Sequence, residues 1–228
     1  MERHFDEDLK VLKGKLMQMS SIVKEMIADS IVALRDRNGS IIELIFEKEK
    51  AVNDLQIEID DFALKLIATQ QPAAGDLRFI VSAIKIDSDL ERIADLAINI
   101  VQCVKELLKK PAIKPLIDIP RMADISQGMV IDAIRSFSEV DSELARQVCA
   151  RDNMVDDLND QIFRELLTYM LQDTKIISQA IGLILVARHL ERIADHATNI
   201  GEDVYYIVEG KDIRHHAAHG ESSPPVVS

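Results

Sequence analysis

Apolar residues recur every three to four positions along nearly the whole chain, the spacing that keeps one face of an α-helix buried. Turn-forming residues break this pattern only at wide intervals: Asn38-Gly39-Ser40, the loop from Gln71 to Asp76, the prolines at 111, 115 and 120, Asp141-Ser142, Asp173-Thr174 and Gly210. The pattern predicts six long helices near residues 5–37, 40–70, 76–109, 120–139, 141–171 and 175–209. Short connections make neighbouring helices antiparallel, so the fold class is all-α, built as helical bundles. Beyond Gly210 the sequence HHAAHGESSPPVVS reads as a mobile polar tail, and the histidines 215, 216 and 219 within it as chance composition.

Aligning the chain with itself sets the number of bundles. DLERIADLAINI at 89–100 matches HLERIADHATNI at 189–200 at nine of twelve positions, an offset of 100. Upstream, EKAVNDLQIEI at 49–59 matches DNMVDDLNDQI at 152–162, and Met26 with Asp29 matches Met129 with Asp132, all at an offset of 103. The longer first-half loop at 71–76 accounts for the difference. The chain is thus expected to be two tandem three-helix bundles, residues 1–110 and 120–213, joined by a linker at 111–119 and followed by a tail at 214–228. Each half is large enough to form its own core.

The duplicated LERIAD places Glu91 four residues before Asp95 and Glu191 four before Asp195, with Asn99 and Asn199 continuing the row. Residues four apart share a helix face about 6 Å apart along the axis, where like charges repel. Leu90, Ile93, Ala94, Ala97 and Ile100 cluster on the opposite side, which sends the acids outward if those residues form the core. The second helix of each half offers Glu49 with Asn53, and Asp152 with Asp156. In an antiparallel hairpin, residues equidistant from the turn stand level, and these pairs are equidistant from Pro72 and from the Asp173-Thr174 turn. By the same test Asp29 stands level with Glu49, and Asp132 with Asp152. Two patches of four to five oxygen donors result. Carboxylate and amide oxygens without cysteine suit Mg²⁺, Mn²⁺ or oxygen-ligated iron better than structural zinc. The competing reading is local pairing, since Arg92 can reach Asp95, Arg192 Asp195, and Arg188 Glu191. His196 has Leu96 as its counterpart and His189 has Asp89, so neither reads as a shared ligand.

Composition narrows the function further. With 27 basic against 39 acidic residues the formal charge is −12, and aromatic residues are 4% of the chain without tryptophan, which disfavours nucleic acid as a partner. The start, MERHFDEDLK, does not read as a secretory signal, and the longest apolar run, 176–187, falls short of the roughly 20 residues of a membrane span. A cytoplasmic protein is expected. Cys103 and Cys149 lack CxxC spacing and read as buried, reduced thiols. Phosphate-binding loops, nucleophile elbows and the ExxH pairs of di-iron bundles do not occur in the sequence, so no enzyme is expected.

The duplicated LERIAD with its following asparagine, the FxEDLxxL-like start at 5–12, QPAAGDLR at 71–78 and VYYIVEGKDIRH at 204–215 together resemble the PhoU family, over residues 5–213. The resemblance implies two similar three-helix bundles whose surface ExxxD rows hold multinuclear metal clusters in some members of the family. It places the ligands at Glu49, Glu91 and Asp95 in the first half and at Asp152, Asp156, Glu191 and Asp195 in the second. Asn53 stands where the motif prefers Asp, leaving the first cluster one anionic ligand short. It further implies a homodimeric negative regulator of phosphate uptake and of the phosphate-starvation response, linking the ATPase subunit of a phosphate ABC transporter to a membrane sensor histidine kinase. A passive scaffold or metal store on the same bundles is the alternative. A direct phosphate sensor is disfavoured by the net charge unless bound metal reverses the local field.

Overall fold

A computed structural model describes residues 4–210, so the final part of the second bundle and the tail lie outside the described residues. Six α-helices occur in that span: α1 (His4–Arg35), α2 (Ile42–Gln70), α3 (Ala74–Leu107), α4 (Asp118–Glu139), α5 (Ser142–Gln172) and α6 (Ile177–Glu209), with no strand among the described residues. Their ends fall within about two residues of those read from the spacing, the usual uncertainty of helix boundaries. Pro120 sits in the first turn of α4, where its missing N–H leaves no intrahelical bond unmade.

Side-chain chemistry fixes the turns. The Asn38 carboxamide accepts from the N–H and hydroxyl of Ser40 at 3.0 and 2.7 Å, starting the short 3₁₀ turn Gly39–Ile41. Arg37, at φ 54°, aims its guanidinium at the carbonyls of Leu108 and Lys110, 3.1 and 2.5 Å away, and so caps the C-terminus of α3 from the α1–α2 turn. In the second half Asp141 caps α5, its carboxylate accepting from the Leu144 N–H at 3.0 Å.

α1, α2 and α3 pack on one another, as do α4, α5 and α6, which gives the two expected bundles. The bundles lie side by side: α1 packs along α4 and α3 along α6, leaving α2 and α5 on opposite flanks. The apolar core is continuous across both halves, from Leu16, Val23 and Ile93 to Met129, Val155 and Ile193. Phe79 of α3 stacks on Phe137 of α4 at 4.4 Å between ring centres, and the Lys13 ammonium of α1 donates to the Ser138 carbonyl of α4 at 2.8 Å. Gly182 permits the α3–α6 approach, because a Cβ there would stand 2.9 Å from the Leu107 side chain. Where the sequence suggested a core for each half, the duplicated helices α3 and α6 seal one core between them. Cys103 and Cys149 are unpaired and half-buried. No helix among the described residues is long and apolar enough to cross a membrane.

Candidate metal centre

Helix packing determines where the acid rows face. Leu90, Ile93, Ala94, Ala97 and Ile100 are all buried, as are Leu190, Ile193, Ala194, Ala197 and Ile200. Glu91, Asp95 and Glu191 therefore turn away from the core and are half-buried at the seam with α2 or α5, while Asp195 is exposed. The Glu91 side chain is 23% exposed and that of Glu191 only 14%.

In the second half the four expected residues come together. Burial raises the Glu191 carboxyl above the usual range, with Asp195, Asp156 and Asp152 adding repulsion against the pull of Arg188. Burial likewise lifts Asp152 to about 6, helped by Asp156 and Asp195 and opposed by Thr198, and it raises the exposed Asp156, helped again by Asp195. Of the five buried side-chain polar atoms without a hydrogen-bond partner among the described residues, two are Asp152 Oδ1 and Glu191 Oε2. Such atoms are rare in native folds and point to a group that would satisfy them. In the first half Glu91 is raised by burial and by Asp95, with Glu49 contributing from α2, and Arg92 acting against them. Glu49 and Asp95 are half-buried, and Asn53 is exposed.

These residues fit a hard cation chemically: oxygen donors only, mutually repelling, two of them desolvated and unpartnered. They are not closed on one point, since no three His, Cys, Asp or Glu side chains among the described residues stand at metal-binding distance. A cation in the second half would be held by Asp152, Asp156, Glu191 and Asp195, and in the first by Glu49, Glu91 and Asp95. It would supply positive charge to a surface that holds too little of it.

Two expectations need correction. Asp29 and Asp132 stand at the expected heights but are not free oxygen donors: Asp29 pairs with Lys48 at 2.8 Å, and Asp132 with Arg151 at 2.7 Å. Lys48 and Arg151 directly precede Glu49 and Asp152 and are themselves 103 residues apart, so the pair is part of the duplication. A cation repeated beside each second-helix acid was the sequence signal. Local pairing of the α3 and α6 acids is partial. Arg188 holds Glu191 at 2.5 Å, whereas Arg92 lies 3.7 Å from Glu91.

The structure also adds residues. Asp87 of α3 is buried, one turn before Glu91, and desolvation followed by Asp60 and Glu91 lifts its carboxyl to about 8. The row at 87, 91, 95 and 99 was visible as spacing, but a search by self-alignment passes over it because position 187 is Ala. His196 of α6 meets Asp89 of α3 at 2.8 Å across the inter-bundle seam. The seam opens at its other end into a groove of about 530 Å³ lined by Asn99, Gln102, Cys103, Ile181, Leu185 and His189.

Comparison with known proteins follows the same division into halves. The family model described as "PhoU domain" matches twice, at residues 16–104 and 119–204. A phosphate-specific transport system accessory protein PhoU homolog from Aquifex aeolicus is 39% identical over 92% of this chain and 95% of its own length. The homolog of the same description from Zymomonas mobilis is 37% identical over 92% of this chain and 88% of its own length. Among solved structures, PhoU from Pseudomonas aeruginosa superposes with a TM-score of 0.87 at 33% identity, covering 91% of this chain and all of that one. The phosphate transport system regulatory protein PhoU from Streptococcus pneumoniae gives 0.83 at 26% identity, covering 92% and 99%.

Proposed function

This chain belongs to the PhoU family, and on that premise we propose that it is a cytoplasmic negative regulator of phosphate uptake and of the phosphate-starvation response. Its general role is that of an accessory protein of a phosphate transport system. In the finer reading, a homodimer links the transporter's ATPase subunit to a sensor histidine kinase, and its two acid rows carry metal ions that set the charge of the docking surface.

The observation that supports this reading best is the second acid row. Asp152, Asp156, Glu191 and Asp195 from two helices repel one another, two of their oxygens are buried without partners, and an acidic protein has little charge of its own to spare for them. Bound cations would turn a repelling patch into a surface able to meet acidic partners. Long helices with wide exposed faces are suited to that adaptor role.

A pull-down of the wild-type chain and of the Glu91→Ala, Asp95→Ala, Glu191→Ala, Asp195→Ala variant against the ATPase subunit and the sensor kinase tests the reading. Capture of both by the wild type, and loss of at least one by the variant, is the expected result. Deletion of the gene should also derepress alkaline phosphatase in high phosphate. Continued repression with no capture of either partner would reduce the protein to a scaffold.

A further inference from the structure

The first half holds a buried acid that its duplicate lacks. Asp87 is 1% exposed and its Oδ1 has no hydrogen-bond partner. The charges that act on it are both carboxylates, half-buried Asp60 from α2 and Glu91 from its own helix. In the second half the counterparts of Asp60 and Asp87 are Phe163 and Ala187, so only Glu191 of the trio is retained. The position itself does not require an acid: Ala187 is packed at 1% exposure in the same duplicated setting. A desolvated carboxylate without a donor is costly, so an acid kept there without need in the fold calls for a ligand.

The loss on the other side of the seam fits this. Asn53 stands where the second half has Asp156, so the first half is one anion short level with Glu91 and has two additional anions, Asp60 and Asp87, on the side toward the α2–α3 turn. A proton on Asp87 would relieve its charge but leave Asp60 and Glu91 as they are. A divalent cation would answer all three.

We propose that Asp60, Asp87 and Glu91 form a binding site for a hard divalent cation such as Mn²⁺, one turn along α3 from where the duplicated motif alone would put it. Asp87 is the fixed ligand, held by the core. Glu91 and Asp60, at the solvent edge, swing onto it when the cation arrives, since the three side chains do not stand at binding distance beforehand. Water completes the coordination, as is usual for Mn²⁺ and Mg²⁺ with few protein carboxylates. The inference rests on reading the acid rows as cation-binding, but it concerns residues outside the duplicated motif and is tested separately.

Mn²⁺ titration of the metal-free full chain, followed by electron paramagnetic resonance, decides it when paired with thermal melts with and without Mn²⁺. Asp87→Ala should remove one Mn²⁺ equivalent, and Asp60→Asn, at the solvent edge and expected to fold, should weaken that equivalent by at least about tenfold. Asp87→Ala should also raise the melting temperature of the metal-free protein while shrinking the rise that Mn²⁺ produces. Glu191→Ala with Asp195→Ala should leave that equivalent in place. If Asp87→Ala melts higher both with and without Mn²⁺ and binds it as the wild type does, Asp87 is a buried neutral acid and the proposal fails. If the Glu191 and Asp195 variant keeps wild-type stoichiometry while Asp87→Ala loses an equivalent, the second acid row fails and this site stands. A wild type that binds no Mn²⁺ overturns both.

Discussion

In the second half an arginine answers the acid row; in the first, the row reaches into the core. Arg188 holds Glu191 at 2.5 Å, and its counterpart in the first half is Ser88. The first half has instead Asn53 where the second has Asp156, and Asp87 where the second has Ala187, with a buried and unpartnered oxygen. Both rows grew from one duplicated helix pair, and their apolar sides have stayed alike, with Ile93 and Ile193 both fully buried. The duplication thus kept the apolar face around Ile93 and Ile193 more closely than the charges beside it. Core positions are constrained by volume on every side, whereas an acid at a seam can be balanced by a proton, an arginine or a cation.

The comparison would break most visibly if the halves were independent units. Ile93→Ala and Ile193→Ala should each cost about 2–5 kcal/mol, by lost burial and the cavity left behind. Because the core is continuous, either variant should shift one cooperative unfolding transition in urea. Two transitions, only one of which moves, would show that each half folds by itself.

A smaller effect separates the halves by pH. Asp87 and Asp152 sit at about 8 and about 6 in the fold, above the ordinary 3.8. The native state therefore binds more protons than the unfolded chain between about 4 and 8, and stability falls as pH rises through that range. Metal-free protein should melt at a higher temperature at pH 5 than at pH 8. Asp87→Leu should flatten the profile between about pH 6 and 8, the window that belongs to the first half, and leave the slope below 6 that Asp152 contributes. A wild-type profile in that variant would show that Asp87 does not titrate there.

The duplicated cation pairs sharpen the comparison at the level of about 1 kcal/mol, the scale of partly exposed ion pairs. Lys48 holds two carboxylates, Glu25 and Asp29, at 2.7 and 2.8 Å, while the half-buried Arg151 reaches Asp132 at 2.7 Å and leaves Arg135 a second, looser contact. Lys48→Ala should therefore destabilise more than Arg151→Ala in chemical denaturation. The reverse order would place the tighter helix-one to helix-two clasp in the second half.

What the sequence disclosed follows from the same physics. Helices, turns and the duplication were legible because they depend on local spacing and on residues such as Asn38 and Asp141 whose side chains act within their own turn. The level placement of the acid pairs was legible too, since a tight hairpin fixes register. The side-by-side packing of α3 on α6 was not, because contacts such as Gly182 against Leu107 and His196 against Asp89 join residues far apart in the chain with no shared period. Spacing alone makes Asp29 and Asp132 oxygen donors, because height along a hairpin does not tell which neighbour a carboxylate turns to, and they turn to Lys48 and Arg151. Asp87 escapes any reading based on repetition, because it is where the repeat fails.

The smallest predicted effect bears most directly on how the two rows differ. Arg188 is well exposed, so its pair with Glu191 contributes at most about 1 kcal/mol, and Arg188→Ser should lower metal-free stability by less than that. Its larger consequence concerns the cation. The guanidinium occupies the carboxylate that a cation would need and adds positive charge beside it, so removal should tighten Mn²⁺ binding in the second half by up to about fivefold, the equivalent of that same ion pair. Ser88→Arg in the first half should weaken binding there by a similar factor, making each row resemble the other. Mn²⁺ titration of the two variants checks both directions at once. If Arg188→Ser weakens binding instead, the arginine belongs to the site, and the second row would then recognise a metal together with an anion that the guanidinium holds.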